Sequence, residues 1–371
     1  MFVLAAEHIP HYAQYYRRSR PLKPKIVVGI VIFAILIGAI IFPHRKPPHK
    51  IKTPEKPAVH PLMMMAFFEN GWGGVYGDSF PVLKENYPFV DVISPFWYSV
   101  DDAGQIRVNR SRLEVLDFAK SKDIPVIPLV TNWQGSGGRF LTSEPARQNS
   151  LANLVNLSRN YPGLNLDVEF LPASYREPLV QYIQSLHTLL AQEKKQLLVC
   201  AYPQVDFPQS RSALHDYPGL AAACDGLILM AYDYHRPNTA SGPVAPLPWV
   251  EANIQYALKA VPPDKLWLGI PGYGYRWQGQ AKTEAIPAWK AEQDARELKI
   301  PVQWDPTSQT PFYTWDTNHN GGVVWYEDKR STGEKIKLAR KYRLKGLALW
   351  RMGYEVKGFW SSLSSAGGSN F

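Results

Sequence analysis

The chain has 371 residues, 45% of them hydrophobic and 13% aromatic, enough for one large domain with a sizeable core. Its net charge of +9 is concentrated in residues 1–60, where ten Lys/Arg face only Glu7 and Glu55. The remainder is nearly neutral, which excludes a nucleic-acid footprint there, and two cysteines exclude a disulfide framework.

In chain order, a basic segment (1–25) precedes Ile26–Phe42, an uncharged apolar run bracketed by basic residues. That run is at the short end for a membrane span and long for a signal-peptide core. Ile37-Gly38-Ala39 is a poor cleavage site and no cysteine follows to accept a lipid, so a single-pass uncleaved anchor is expected rather than a removed signal. Lys/Arg flank the run about equally on both sides, so charge does not set its orientation; an extracytoplasmic domain is inferred from function. Residues 43–61, rich in Pro and Lys, read as an extended tether able to reach roughly 55 Å.

From Leu62 on, short apolar runs alternate with helix-like stretches, the rhythm of parallel βα units. Strands are expected at Leu62–Glu69, Val90–Trp97, Ile124–Asn132, Leu164–Phe170, Leu197–Tyr202, Gly226–Tyr232, Leu266–Tyr273 and Gly346–Trp350. Helices are expected at Arg112–Lys122, Pro145–Asn160, Glu177–Lys194, Val250–Ala260 and Thr332–Tyr342. Eight strands in about 300 residues suit an α/β fold of the (β/α)8 TIM barrel type over 62–360. Residues 276–327 are too long for a simple crossover and imply a small inserted α+β lobe between strands seven and eight, with a turn at Asn318–Gly322. A doubly wound sheet is the alternative, but no Gly-rich dinucleotide loop supports it. Residues 361–371 read as a flexible tail. If the fifth and sixth strands are parallel neighbours, Cys200 lies level with Met230 and Cys224 about 20 Å away, too far to bridge.

The chemistry concentrates on Gly163-Leu164-Asn165-Leu166-Asp167-Val168-Glu169. In a strand, Asn165, Asp167 and Glu169 share one face, and three polar groups inside a core destabilise it unless that face opens onto something wet or reactive. A carboxyl beside a second carboxyl has its proton affinity raised, which suits a general acid near neutral pH. The bland reading is a buried polar ladder. Other strand ends weigh against it: Phe96-Trp97-Tyr98, Trp133, Ala201-Tyr202, Met230-Ala231-Tyr232-Asp233 and Trp350 bring aromatic rings and a further acid to the same rim. His235 and His319 are not spaced as paired metal ligands, and His8, His11, His44, His49 and His60 lie in the basic arm, so neither metal nor cofactor is expected.

These motifs resemble glycoside hydrolase family 18, the family of chitinases and bacterial endo-N-acetylglucosaminidases, over about residues 61–360. The family pattern Asp-Gly-x-Asp-x-Asp-x-Glu appears here with Pro162 and Asn165 in place of the first two acids, a form similar to the spore-cortex-lytic and peptidoglycan glucosaminidase branch. The Met230-Ala231-Tyr232-Asp233 run and the terminal Trp350 also match. The resemblance implies substrate-assisted retaining hydrolysis of an N-acetylglucosamine-containing polysaccharide, most simply peptidoglycan, by a membrane-tethered glycosidase. In that scheme Glu169 is the acid and base, Asp167 orients the substrate acetamido group, and Tyr232 bonds its oxygen. Asp233, Trp97, Tyr202, Met230 and Trp350 contact the sugar, while Asn165 orients Asp167. A chitinase, a non-catalytic glycan-binding barrel, and an ordinary retaining glycosidase using Asp233 as nucleophile are the alternatives.

Overall fold

The computed structural model describes residues 62–71, 77–132, 136–279, 283–316 and 321–365. The predicted span 26–42, the tether 43–61, Trp133 and the residues Asn318, His319 and Asn320 of the expected turn lie outside the described residues. Among the described residues no helix is long and apolar enough to cross a membrane.

The chain begins with β1 (Met63–Phe68), α1 (Ser79–Asn86), β2 (Val92–Val100), β3 (Ile106–Val108), α2 (Leu113–Ser121) and β4 (Leu129–Asn132). Two helices, α3 (Arg139–Thr142) and α4 (Glu144–Ser158), lead to β5 (Gly163–Asp167), α5 (Arg176–Gln192) and β6 (Gln196–Ala201). Then follow α6 (Gln209–Ser212), α7 (Tyr217–Ala223), β7 (Gly226–Leu229), α8 (Leu247–Ala257) and β8 (Leu266–Pro271). An excursion of β9 (Tyr273–Gln278), β10 (Glu284–Pro287), α9 (Ala288–Glu297), β11 (Gln303–Asp305), β12 (Thr310–Trp315) and β13 (Gly322–Tyr326) precedes α10 (Lys329–Lys341), β14 (Gly346–Trp350) and α11 (Phe359–Ser365).

Strands β1, β2, β4, β5, β6, β7, β8 and β14 pair in parallel, and β14 and β2 both pair with β1, so the sheet closes on itself. All eight predicted strands are barrel strands. Their nearly unbroken burial follows from having side chains inside the barrel and helices outside. The helices meet that sheet with apolar stripes. On α5, Leu179, Tyr182, Ile183, Leu186 and Leu190 recur at helical spacing and are buried, each contributing roughly 1.5–3 kcal/mol.

The excursion is a five-stranded antiparallel sheet in the order β10-β9-β13-β12-β11 with α9 beside it, the α+β lobe expected from sequence. Its first strand opens at Tyr273, three residues before the expected boundary. At its far end Glu327 and Lys335 form a fully buried ion pair of 2.8 Å, linking the lobe's exit to α10.

Two expectations need correction, and one helix was missed. Ser361–Ser365, expected as flexible tail, belong to α11, because Phe359 and Trp360 are buried and Trp360 Nε1 donates to Glu355. α1 was not anticipated; its start is specified by Asp78, whose carboxylate accepts from the Phe80 amide. Cys200 lies level with Ile228 rather than Met230, and both cysteines are buried and free.

Candidate active site

β5 carries the acids into the barrel mouth. Its first residue, Gly163, lies so close to β6 that a Cβ there would meet the Gln196 carbonyl at 2.4 Å. Asp167 ends the strand level with Thr131 of β4. Beyond it the ladder is continued by side chains. The Asn132 amide accepts from the Glu169 N–H at 2.9 Å and donates to the Glu169 carbonyl at 3.0 Å. On the other flank His215 takes the Tyr202 N–H at Nδ1 and donates from Nε2 to the Val168 carbonyl. Burial lowers the His215 pKa to about 4, so the imidazole is neutral at pH 7 and can play both parts.

Asp167 and Glu169 line a pocket of about 610 Å³ together with Tyr232, Asp233, Met230 and Trp350. Both carboxyls touch the pocket yet are enclosed by protein on most sides. That enclosure raises Asp167 to about 7. Glu169 is pushed well above the ordinary range by burial first, then by the charges of Asp167 and Asp233; Arg211 and the nearby Tyr202 hydroxyl pull the other way. The pair therefore titrates as a unit holding a shared proton near neutrality. Oδ1 of Asp167 is buried and finds no hydrogen-bond partner among the described residues. An unpaired buried acceptor is costly unless a ligand supplies the donor.

Strand β7 ends at Leu229, and the next residues leave strand geometry through close Ala231-to-Leu229 and Tyr232-to-Met230 backbone bonds. Asp233 takes a left-handed backbone with φ 62°, which Asp tolerates better than most residues. The kink lets consecutive Tyr232 and Asp233 both face the pocket. The Tyr232 ring has room because β8 carries Gly269, where a Cβ would meet the ring at 2.9 Å. Asp233 accepts from the hydroxyls of Tyr273 (2.5 Å) and Tyr275 (2.8 Å), both on β9 of the inserted lobe. Burial raises its proton affinity; those two bonds, Arg236 and Arg211 lower it. Tyr273 and Tyr275 were not singled out in the sequence, though a Tyr-Gly-Tyr alternation places both on one strand face.

Trp350 ends β14 and packs edge-to-face on Phe67, with centroids 5.1 Å apart. Tyr202 and Met230 line a smaller side pocket beside Glu169. Two residues fall elsewhere than expected. Trp97 is fully buried against Phe68, its Nε1 donating to Asn70 at 3.3 Å. The pairing of β2 with β4 shifts register between Phe96 and Tyr98, which breaks strict alternation and leaves Phe96 lining the pocket. Asn165 is also fully buried: it donates to Ser94 Oγ at 3.1 Å and accepts from Cys200 Sγ at 3.5 Å, so it makes no hydrogen bond to Asp167. Cys200 takes the place below the acids and lines the pocket floor.

Two acids thus lie at the C-terminal mouth of a closed parallel barrel, in a pocket lined also by a tyrosine and a tryptophan. Residues 57–355 fit the profile of glycosyl hydrolases family 18. The chain belongs to this family, and it is a glycosidase. Its curated relatives include YdhD of Bacillus subtilis, named for a sporulation-specific glycosylase role, 27% identical over 73% of this chain and 68% of that protein. The cortical fragment-lytic enzyme of Bacillus subtilis is 24% identical over 76% of this chain and 69% of its own length. Among solved structures, a chitinase from Chromobacterium violaceum superposes with a TM-score of 0.76 at 24% identity, covering 84% of this chain and all of that one. At that identity the likeness speaks for the fold alone.

Proposed function

We propose that this family-18 glycosidase hydrolyses N-acetylglucosamine-containing glycan, with peptidoglycan as substrate, through attack by the substrate's own acetamido group. The observation that carries the reading is the unpartnered buried Oδ1 of Asp167, two residues from the high-affinity carboxyl of Glu169, in one pocket. An acetamido N–H is the donor Asp167 lacks. Glu169 gives its proton to the glycosidic oxygen as the C1–O bond breaks, and the acetamido carbonyl oxygen bonds to C1. Asp167, the carboxylate of the pair while their one proton sits on Glu169, accepts from the acetamido N–H and stabilises the positive oxazolinium so formed. The Tyr232 hydroxyl hydrogen-bonds the acetamido oxygen, and Trp350 lies beneath the ring. Glu169, now a carboxylate, takes a proton from water as the water oxygen bonds to C1 and the oxazolinium C1–O bond opens, restoring the acetamide and giving the product with retained configuration.

The family's curated relatives named for sporulation and cortical fragments support a cell-wall glycan over chitin. A tether of residues 43–61 behind an anchor at 26–42 suits a polymer lying within tens of ångströms of a bilayer, with the barrel on the extracytoplasmic side. Mass spectrometry of a purified peptidoglycan digest tests the reading. Products ending in reducing N-acetylglucosamine, absent with Glu169→Gln, are expected; products ending in reducing N-acetylmuramic acid, or undiminished cleavage by the variant, contradict it.

A further inference from the structure

Beside Glu169 a side pocket of about 60 Å³ opens between Phe170, Tyr202 and Phe207, joined to the main pocket through Met230, Tyr232 and Asp233. That volume has room for a few waters, or for one small polar group. Two features single it out. The Tyr202 hydroxyl is buried beside the Glu169 carboxyl. Arg211 lines the pocket with its guanidinium 5.0 Å above the Phe170 ring, and no ion pair or hydrogen bond of its side chain is found among the described residues. Arg236 stacks 5.2 Å over Phe207 just behind, its Nη1 already donating to the carbonyls of Asp233 and Tyr234. Phe170 itself is 68% exposed, so the Arg211–Phe170 stack stands at the open rim. A held guanidinium without an ion pair, facing the same small cavity as a phenol, forms a carboxylate receptor.

We infer that this side pocket binds the carboxylate of the lactyl ether on the muramyl sugar of the leaving group, so that the enzyme selects acidic peptidoglycan glycan over neutral N-acetylglucosamine polymers. The inference rests on the proposed cleavage after N-acetylglucosamine. In that linkage the leaving oxygen is O4 of the muramyl ring and the lactyl ether is on the adjacent O3. The acid that protonates O4 is Glu169, so the carboxylate arrives within a few ångströms of Glu169, where Arg211 and Tyr202 stand. Repulsion from the site's own acids is limited: Asp233 is engaged by Tyr273 and Tyr275, and burial with neighbouring negative charge favours the neutral form of Glu169.

The test compares kcat/KM on a glycan of alternating N-acetylglucosamine and N-acetylmuramic acid with that on an N-acetylglucosamine oligomer of equal length, for the full chain. Arg211→Met keeps the stem over Phe170 and removes the charge, and the ratio of the two values should fall by about tenfold to a hundredfold; Arg211→Lys should fall between. The ratio cancels any general effect of Arg211 on the acidity of Glu169. An unchanged ratio in both variants overturns the inference. If the wild type cleaves neither glycan, the proposed cleavage fails on its own account, and equilibrium binding decides the side pocket. Glu169→Gln should then bind the N-acetylglucosaminyl-muramic acid disaccharide more tightly than chitobiose, and lose that preference when Arg211→Met is added. Equal binding of the two disaccharides sinks it.

Discussion

Asp167 binds a proton more tightly when folded, with a pKa of about 7 against 3.8 for an ordinary aspartate. Between those values the folded state holds more protons than the unfolded one, so stability falls as pH rises. Asp167→Asn removes that penalty. Its stability gain over the wild type should be present above about pH 7 and vanish as pH falls toward the ordinary aspartate range. Denaturant melts of both proteins across this range check it; a gain that grows toward acid pH would be the wrong sign. Asn132 lines the pocket and works on the neighbouring acid through its backbone. Its amide holds both backbone groups of Glu169 beyond the end of β5, so it is a positioning residue. Asn132→Ala should lower kcat by about ten- to a hundredfold with a smaller change in KM, since a displaced acid impairs catalysis more than binding. A loss confined to thermal stability, with kcat intact, would show the clamp to be structural only.

At the scale of elements, the period-two pattern of β5 made Asp167 and Glu169 legible, because strand alternation alone decides which side chains share a face. The same reasoning failed at Trp97, where the register shift in β2 turns the ring into the core. Val92–Val100 does carry one sign of an irregular strand, Pro95, a residue that sheets confine to edges and bulges, but it does not say which way the following side chains turn. It failed again at Asn165, which faces inward but sits a layer too deep and bonds Ser94 and Cys200. Depth along a strand follows from barrel stagger, which one strand's sequence does not contain. The buried pair linking the lobe's exit to α10 was invisible for a similar reason, since Glu327 and Lys335 read as ordinary solvated charges. Lys335→Met leaves Glu327 charged and unpaired in the core and should destabilise by about 3–5 kcal/mol. Adding Glu327→Leu should recover most of that loss. A double variant no more stable than the single one would contradict the assignment, and equilibrium unfolding decides between them.

Over the whole molecule, the (β/α)8 plan and the lobe between β8 and β14 could be read from the spacing of apolar runs, because eight strands and one overlong crossover leave few topologies. What the lobe does for the site could not be read. Tyr273 and Tyr275 reach from its first strand to Asp233, and only the fold brings these residues together. The barrel and its lobe thus combine to hold one polar cluster around the place where a sugar's amide is expected to attack. The most direct test of that attack is proton NMR of the first products from an N-acetylglucosamine oligomer, run beside its fully de-N-acetylated counterpart. The account predicts the β-anomer as the initial product and no cleavage of the de-N-acetylated chain. An α-anomer, or comparable hydrolysis of both oligomers, would contradict it.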